Sequence, residues 1–407
     1  MTVLSRPAAT ITLRTARRWA YENLFSSPAN SVLTVLTLLV IGVALFGVLR
    51  FAFFSAEWEV IVVNRRQFFV GRYPVEEVFR AWIVVFMISG MAGLSLGLWS
   101  KPGVRTAAAL GILLIPVFLF IRGGEVAALT AGAVGLFVLS HVAARAVVEW
   151  RENVDLLRTL TIVSWLIAFL VAMFILGEVP RLLWGGLLLT MILAVAGIVL
   201  SFPLGILLAL GRASTFPVVR IFCVGYIEII RGVPLITLLF MAQFILPLMI
   251  EPERSISALG FSVPITGYEM DNVVRALAAV TLFSAAYLAE VIRGGLQAVP
   301  RGQVEAAKAL GLSTTTILAL IVLPQALRAV IPSLVGQFIS LFKDTSLVAI
   351  AGLTDLLGVT RTVTAQQAFI GKQAEVLLFA ALLYWIVAFS MSRASQRLER
   401  ILGVGER

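Results

Sequence analysis

Two Glu-x-x-Arg-Gly segments, Glu228–Gly232 and Glu290–Gly294, and one Lys-Asp-Thr-Ser run, Lys343–Ser346, lie in or at the ends of otherwise apolar stretches. Charges in such stretches are expensive, so each is a candidate for handling a charged solute. A zwitterionic solute needs donors for its anionic group and acceptors for its cationic one. Glu228, Arg231, Glu290 and Arg293 offer both kinds of group. Lys343, Asp344, Thr345 and Ser346 end an apolar segment, where hydroxyls and free helix-terminal amides suit a carboxylate. The competing reading is structural, because an i,i+3 Glu–Arg pair neutralises itself and makes burial tolerable. Tyr287 and Gln243 are further pore-lining candidates. No Ser/His, paired-aspartate or zinc-ligand constellation stands out, so neither catalytic nor metal-binding residues are expected.

The elements that hold these groups must be membrane helices. The chain has 407 residues, of which 60% are hydrophobic and only 13% charged, and its mean hydropathy is +1.01. A soluble domain is about 45–50% apolar and about 25% charged, so this chain has too little polar surface to face water. The 32 Lys+Arg exceed the 22 Asp+Glu, giving a formal charge of +10. In a polytopic membrane protein that excess fits basic loops beside anionic lipid rather than nucleic acid. Cys223 is the single cysteine and His141 the single histidine, which excludes an internal disulfide and a Cys/His metal site.

The reading is an all-α polytopic membrane protein with about ten transmembrane helices. Backbone facing lipid must satisfy its own hydrogen bonds, so each span is expected to be helical. The first runs from Ser31 to Phe54, too long for the h-region of a cleavable signal. Others are expected at 81–99, 106–121, 126–145, 159–177, 186–210, 218–249, 273–292, 322–342 and 376–392. The 218–249 segment exceeds one straight span and carries Gly232-Val233-Pro234, so a break is expected there. Pro203 and Pro247 allow either hinges or fixed kinks. Lys and Arg favour the side holding Arg6, Arg14, Arg17 and Arg18, which puts the N- and C-termini in the cytoplasm by the positive-inside rule. Polar signals inside spans concentrate beyond about residue 180, which divides the chain into residues 1–180 and 181–407.

One loop carries the most specific pattern. Val299-Pro300-Arg301-Gly302 punctuates the chain, Glu305 to Leu310 is a run of helix formers, and Gly311 supplies a C-terminal turn. Small Ala306 and Ala307 allow close approach of another surface, and Glu305 and Lys308 give polar edges at i,i+3. Such a helix either docks a partner or merely connects two spans.

The spacing Glu305-Ala306-Ala307, Gly311, Ile321, Leu323-Pro324 resembles the EAA loop of ABC importer permeases. Tyr226–Leu235, Ala286–Leu296, Leu323–Arg328 and Phe342–Val348 resemble the polar amino acid uptake branch of that family. Trp184–Leu187 and the N-terminal extension resemble its general L-amino acid subgroup. The resemblance implies a five-helix permease core over residues 181–407 and an added bundle of about five helices over 1–180. It makes the 300–324 loop, through Glu305, Ala306, Ala307, Gly311, Leu323 and Pro324, the link to a separate ATPase that carries ATP and Mg. It further implies a second homologous permease subunit in a heterodimer, a periplasmic binding protein, an L-amino acid as solute, and a bacterial inner-membrane location. The chain contains no Gly-x4-Gly-Lys-Ser/Thr phosphate loop, so no cofactor is expected on it. The alternative is an ion-coupled secondary amino acid transporter, which calls for internal repeats and its own coupling-ion site.

Overall fold

A computed structural model describes residues 13–99, 124–150, 154–249, 255–258, 261–264 and 271–402. The chain forms two compact units, residues 1–58 and 59–407. The first holds α1 (Leu13–Leu24) and α2 (Pro28–Arg50), which continues through a π turn over Phe51–Ser55. Ser27 caps α2 by accepting the Asn30 N–H at 3.1 Å, and Pro28 fits the first turn, where no N–H is needed.

The second unit opens with α3 (Glu59–Val70), followed by α4 (Val78–Trp99), α5 (Gly124–Trp150) and α6 (Asp155–Gly177). Next come α7 (Gly186–Arg212), α8 (Pro217–Gly232) and α9 (Leu235–Phe240), the last continuing by a π turn into Leu246–Met249. A short antiparallel ladder, Ser255–Ala258 with Phe261–Pro264, precedes α10 (Asn272–Ala298) and is the one pair of strands among the described residues. The chain ends with α11 (Arg301–Ala309), α12 (Leu323–Asp344), α13 (Leu356–Thr364) and α14 (Gln373–Leu402). The boundary expected near residue 180 falls inside this unit.

Among the described residues, eight helices are long and apolar enough to cross a membrane, or up to nine counting one bent pair. They match the expected spans, except that the segment expected at 106–121 lies outside the described residues. The bent pair is α8 with the α9 segment, at 102°. Val233 is extended because the residue before a proline avoids the helical region, and Pro234 offers no N–H to continue the ladder. The span expected at 322–342 begins earlier, at Thr314, because a π turn over Leu318–Val322 carries the helix past Leu323 and Pro324. Pro324 therefore sits in the first turn of α12 rather than in a loop.

Small residues set the packing. Gly205 on α7 approaches α10 so closely that an added Cβ would lie 2.8 Å from the Leu288 Cβ. Ala276, Ala279, Ala285, Ala286 and Ala289 give α10 a flat buried stripe. In lipid, where hydrophobicity does not drive helices together, such close backbone approach maximises dispersion contact. In the first half of the unit, Gly93 and Gly97 of α4 receive Phe137, Ser140 and Ala144 of α5. Trp165 of α6 donates to Ser95 Oγ at 2.8 Å.

α3 is not a span, yet it buries Val60, Ile61, Asn64 and Phe68 against α7, α13 and α14. Phe68 meets Phe379 edge-on at 5.2 Å, and Asn64 Oδ1 accepts from Gln366 Nε2 at 3.0 Å. Gly186 has φ +59, and the Phe68 and Gln67 carbonyls occupy the space a Cβ would need. Only glycine meets both demands.

Candidate functional site

The helix α11 hangs between α10 and α12. It enters from Val299 and Pro300 and ends in a Schellman turn. Gly311, at φ +75, donates to the Lys308 carbonyl at 2.9 Å, and Leu312 donates to Ala307 at 3.2 Å. Of the motif residues on the helix, Ala307 is buried while Glu305 and Ala306 are exposed. Glu305 and Lys308 form no ion pair with each other among the described residues, so their charges are free to face outward. A contact of Gln325 Nε2 with Gln303 Oε1 at 3.3 Å ties α11 to the base of α12. Leu310 is 80% exposed beside Gly311. Sequence reasoning did not single it out, although a leucine at the end of a polar helix is the available signal.

Above α11 lies a cluster of charges. Arg212, at the end of α7, sets Nη1 2.8 Å from Glu228 Oε1 on α8 and 2.8 Å from Glu290 Oε1 on α10. The N–H is aimed at Glu228, so the second contact is an ion pair without an aligned hydrogen bond. Arg293 Nε lies 3.0 Å from Glu290 Oε2, and Arg231 Nη1 lies 3.7 Å from the same oxygen. The Arg231 guanidinium also sits 5.4 Å above the Tyr287 ring. The i,i+3 pairing therefore holds for Glu290–Arg293 but not for Glu228–Arg231. Glu228 and Arg231 reach instead to Arg212 of α7 and Glu290 of α10.

Lys343–Ser346 form a separate group at the opposite end of α12. Lys343 is exposed, Asp344 and Ser346 are half-buried, and Thr345 is buried with its hydroxyl donated to the Phe342 carbonyl at 2.6 Å. The turn Thr345–Ala349 packs against α9, just past the bend. Gln243 is buried and donates to the Asn272 carbonyl at 2.7 Å, which fastens the start of α10.

Asp355 is fully buried and was not singled out from sequence. It caps α13 by accepting the N–H groups of Gly358 at 2.9 Å and Leu357 at 3.3 Å, and Tyr384 donates to it at 3.0 Å. Leu356 N–H donates to Thr190 Oγ1 at 3.0 Å, which ties α13 to α7. Burial pushes the Asp355 carboxyl up to about 6, against the opposing pull of these donors and the Arg361 charge. Its sequence signal is an Asp directly before a helical run, with glycine three residues on. Among the described residues no three His, Cys, Asp or Glu side chains converge as metal ligands do.

Residues 201–403 match the family model described as the binding-protein-dependent transport system inner membrane component. The inner membrane amino-acid ABC transporter permease protein YhdY of Escherichia coli is 38% identical, over 98% of this chain and 96% of its own. The glutamate/glutamine/aspartate/asparagine transport system permease protein BztC of Rhodobacter capsulatus is 38% identical over 95% of this chain and 94% of its own. A probable glutamine ABC transporter permease protein of Bacillus subtilis, GlnP, is 38% identical over 53% of this chain and 92% of its own length. Such permeases are non-catalytic membrane components, and relatives spanning nearly the whole chain set aside the ion-coupled alternative. This multi-pass chain thus belongs to the inner membrane permease family of binding-protein-dependent ABC transport systems.

Proposed function

We propose that this chain is the membrane-spanning permease of an ATP-driven importer of L-amino acids, with both termini in the cytoplasm. Its relatives carry amino acid names, and the exposed α11 with Leu310 at its end is the observation that supports coupling to an ATPase. Separate ATPase subunits bind ATP and Mg and receive α11 through Glu305, Ala306 and the Leu310 side chain. Ala307, Leu323 and Pro324 hold the helix to its own bundle. A second homologous permease completes the pathway, and a periplasmic binding protein delivers the solute. Closure of the ATPases moves α11 as a lever, and the attached spans switch which side is open. Lys343, Asp344, Thr345 and Ser346 form this chain's share of the solute site, next to the bend.

A mild-detergent pull-down from native membranes, read by mass spectrometry, tests the assembly. An ATPase is expected with the wild type. It is lost in Gly311→Pro, since proline cannot take the left-handed backbone at that turn, and Glu305→Lys is expected to weaken it. Recovery of the chain alone, with uptake driven by an ion gradient, would overturn the reading.

A further inference from the structure

The charged cluster lies on the mechanical path between α11 and the bend. α10 carries Glu290 and ends at Ala298, with only Val299 and Pro300 between it and α11. The Glu290 side chain is only 15% exposed, and it gathers Arg212 from α7, Arg231 from α8 and Arg293 from its own helix. Arg231 directly precedes the Gly232–Pro234 break. Three guanidinium groups thus converge on one carboxylate, with the more exposed Glu228 shared at the edge. Without the Glu290 charge, three cations would face a single anion in a partly solvated site, a costlier arrangement than the paired one.

We propose that Glu290 is a positioning residue that transmits movement of α11 to the bend between α8 and α9. When α11 shifts, α10 carries Glu290 with it, and Glu290 draws Arg212 and Arg231 along. The inner portions of α7, α8 and α10 then travel as one block, while α9 and the Lys343–Ser346 turn lie beyond the flexible joint. The 3.7 Å Arg231 contact is the longest of the set and joins the block to the residue directly before the joint. This assigns Glu228, Arg231, Tyr287 and Glu290 to transmission rather than to solute contact, and it rests on the importer reading above.

The test uses the whole transporter in liposomes, with ATP hydrolysis and amino acid uptake measured on the same preparation. Glu290→Gln keeps the side-chain shape and removes the charge. Hydrolysis is expected to persist while uptake per ATP falls about tenfold, in the range of ordinary coupling energies. The solute KM should stay unchanged, and Glu290→Asp should recover much of the ratio. A normal ratio in assembled Glu290→Gln overturns the proposal. So does a raised KM at an unchanged ratio, which would make Glu290 a solute contact. If Glu290→Gln does not assemble, Arg231→Gln puts the same question from a more exposed position, and a normal ratio there overturns it too. Failure of the wild-type chain to bring down any ATPase would instead count against the importer reading, and it is seen before any variant is made.

Discussion

The two ends of the second unit are built on opposite principles. At the α11 end, charges meet across three helices, a leucine stands in the open, and glycines such as Gly302 have nothing within 4 Å. At the α3 end, carbonyls press on glycines, the Phe68 and Asp355 side chains are fully buried, and a carboxylate caps a helix in place. Ion pairs over several ångströms tolerate displacement, because Coulomb energy falls slowly with distance. Close-packed backbone does not, since a fraction of an ångström forfeits contact or creates overlap. The first end suits motion and the second suits a fixed abutment.

Substituting glycines at the two ends breaks this contrast most directly. Gly186→Val should cost about 4 kcal/mol or more, by combining left-handed strain with overlap against α3. Gly302→Ala, on open α11, should be neutral or stabilising by about 0.5–1 kcal/mol. Thermal unfolding of the purified variants reads both, and similar losses at both positions would erase the distinction.

A smaller effect comes from Asp355. The native carboxyl keeps its proton up to about pH 6, whereas an unfolded Asp releases it near 4. The native state binds more protons between those values, so stability falls as pH rises through that window. Asp355→Asn keeps a good cap and has nothing to titrate. Relative to that variant, the wild type should lose about 2 kcal/mol between pH 4 and 7. Parallel Tm curves would mean that the capping N–H groups fully compensate for burial.

The smallest expected change separates the solute group from the abutment it borders. Asp344→Asn should leave folding and hydrolysis intact and shift solute affinity by about tenfold, the loss expected from one charge-assisted contact. Unchanged affinity and selectivity would return Lys343–Ser346 to a structural role.

What the sequence made legible followed from local rules. Long apolar runs marked the spans, Pro234 marked the bend, and Gly311 marked the end of α11, because each depends on residues a few positions apart. The charge cluster was half legible for the same reason. An i,i+3 rule finds Glu290 and Arg293, but Arg212 joins Glu290 only once α7 and α10 lie side by side. α3 falls between two expected spans, since twelve residues that include Asn64, Arg65, Arg66 and Gln67 are too short and too polar to cross a membrane. Asp355 looked like an ordinary loop acid, since its burial comes from α7 and α14 closing over it.

The docking of α3 also bears on how the protein is made. Asn64 and Gln366 meet across 302 residues of chain. At translation rates of about 5–20 residues per second, α3 waits about 15–60 s for its partners to emerge. Through that interval α7 is the one partner already made, and Phe68 still lacks Phe379. The docking is completed last, so a chain that stalls before α13 and α14 is displayed with α3 only partly covered, a signature that quality-control proteases are equipped to read.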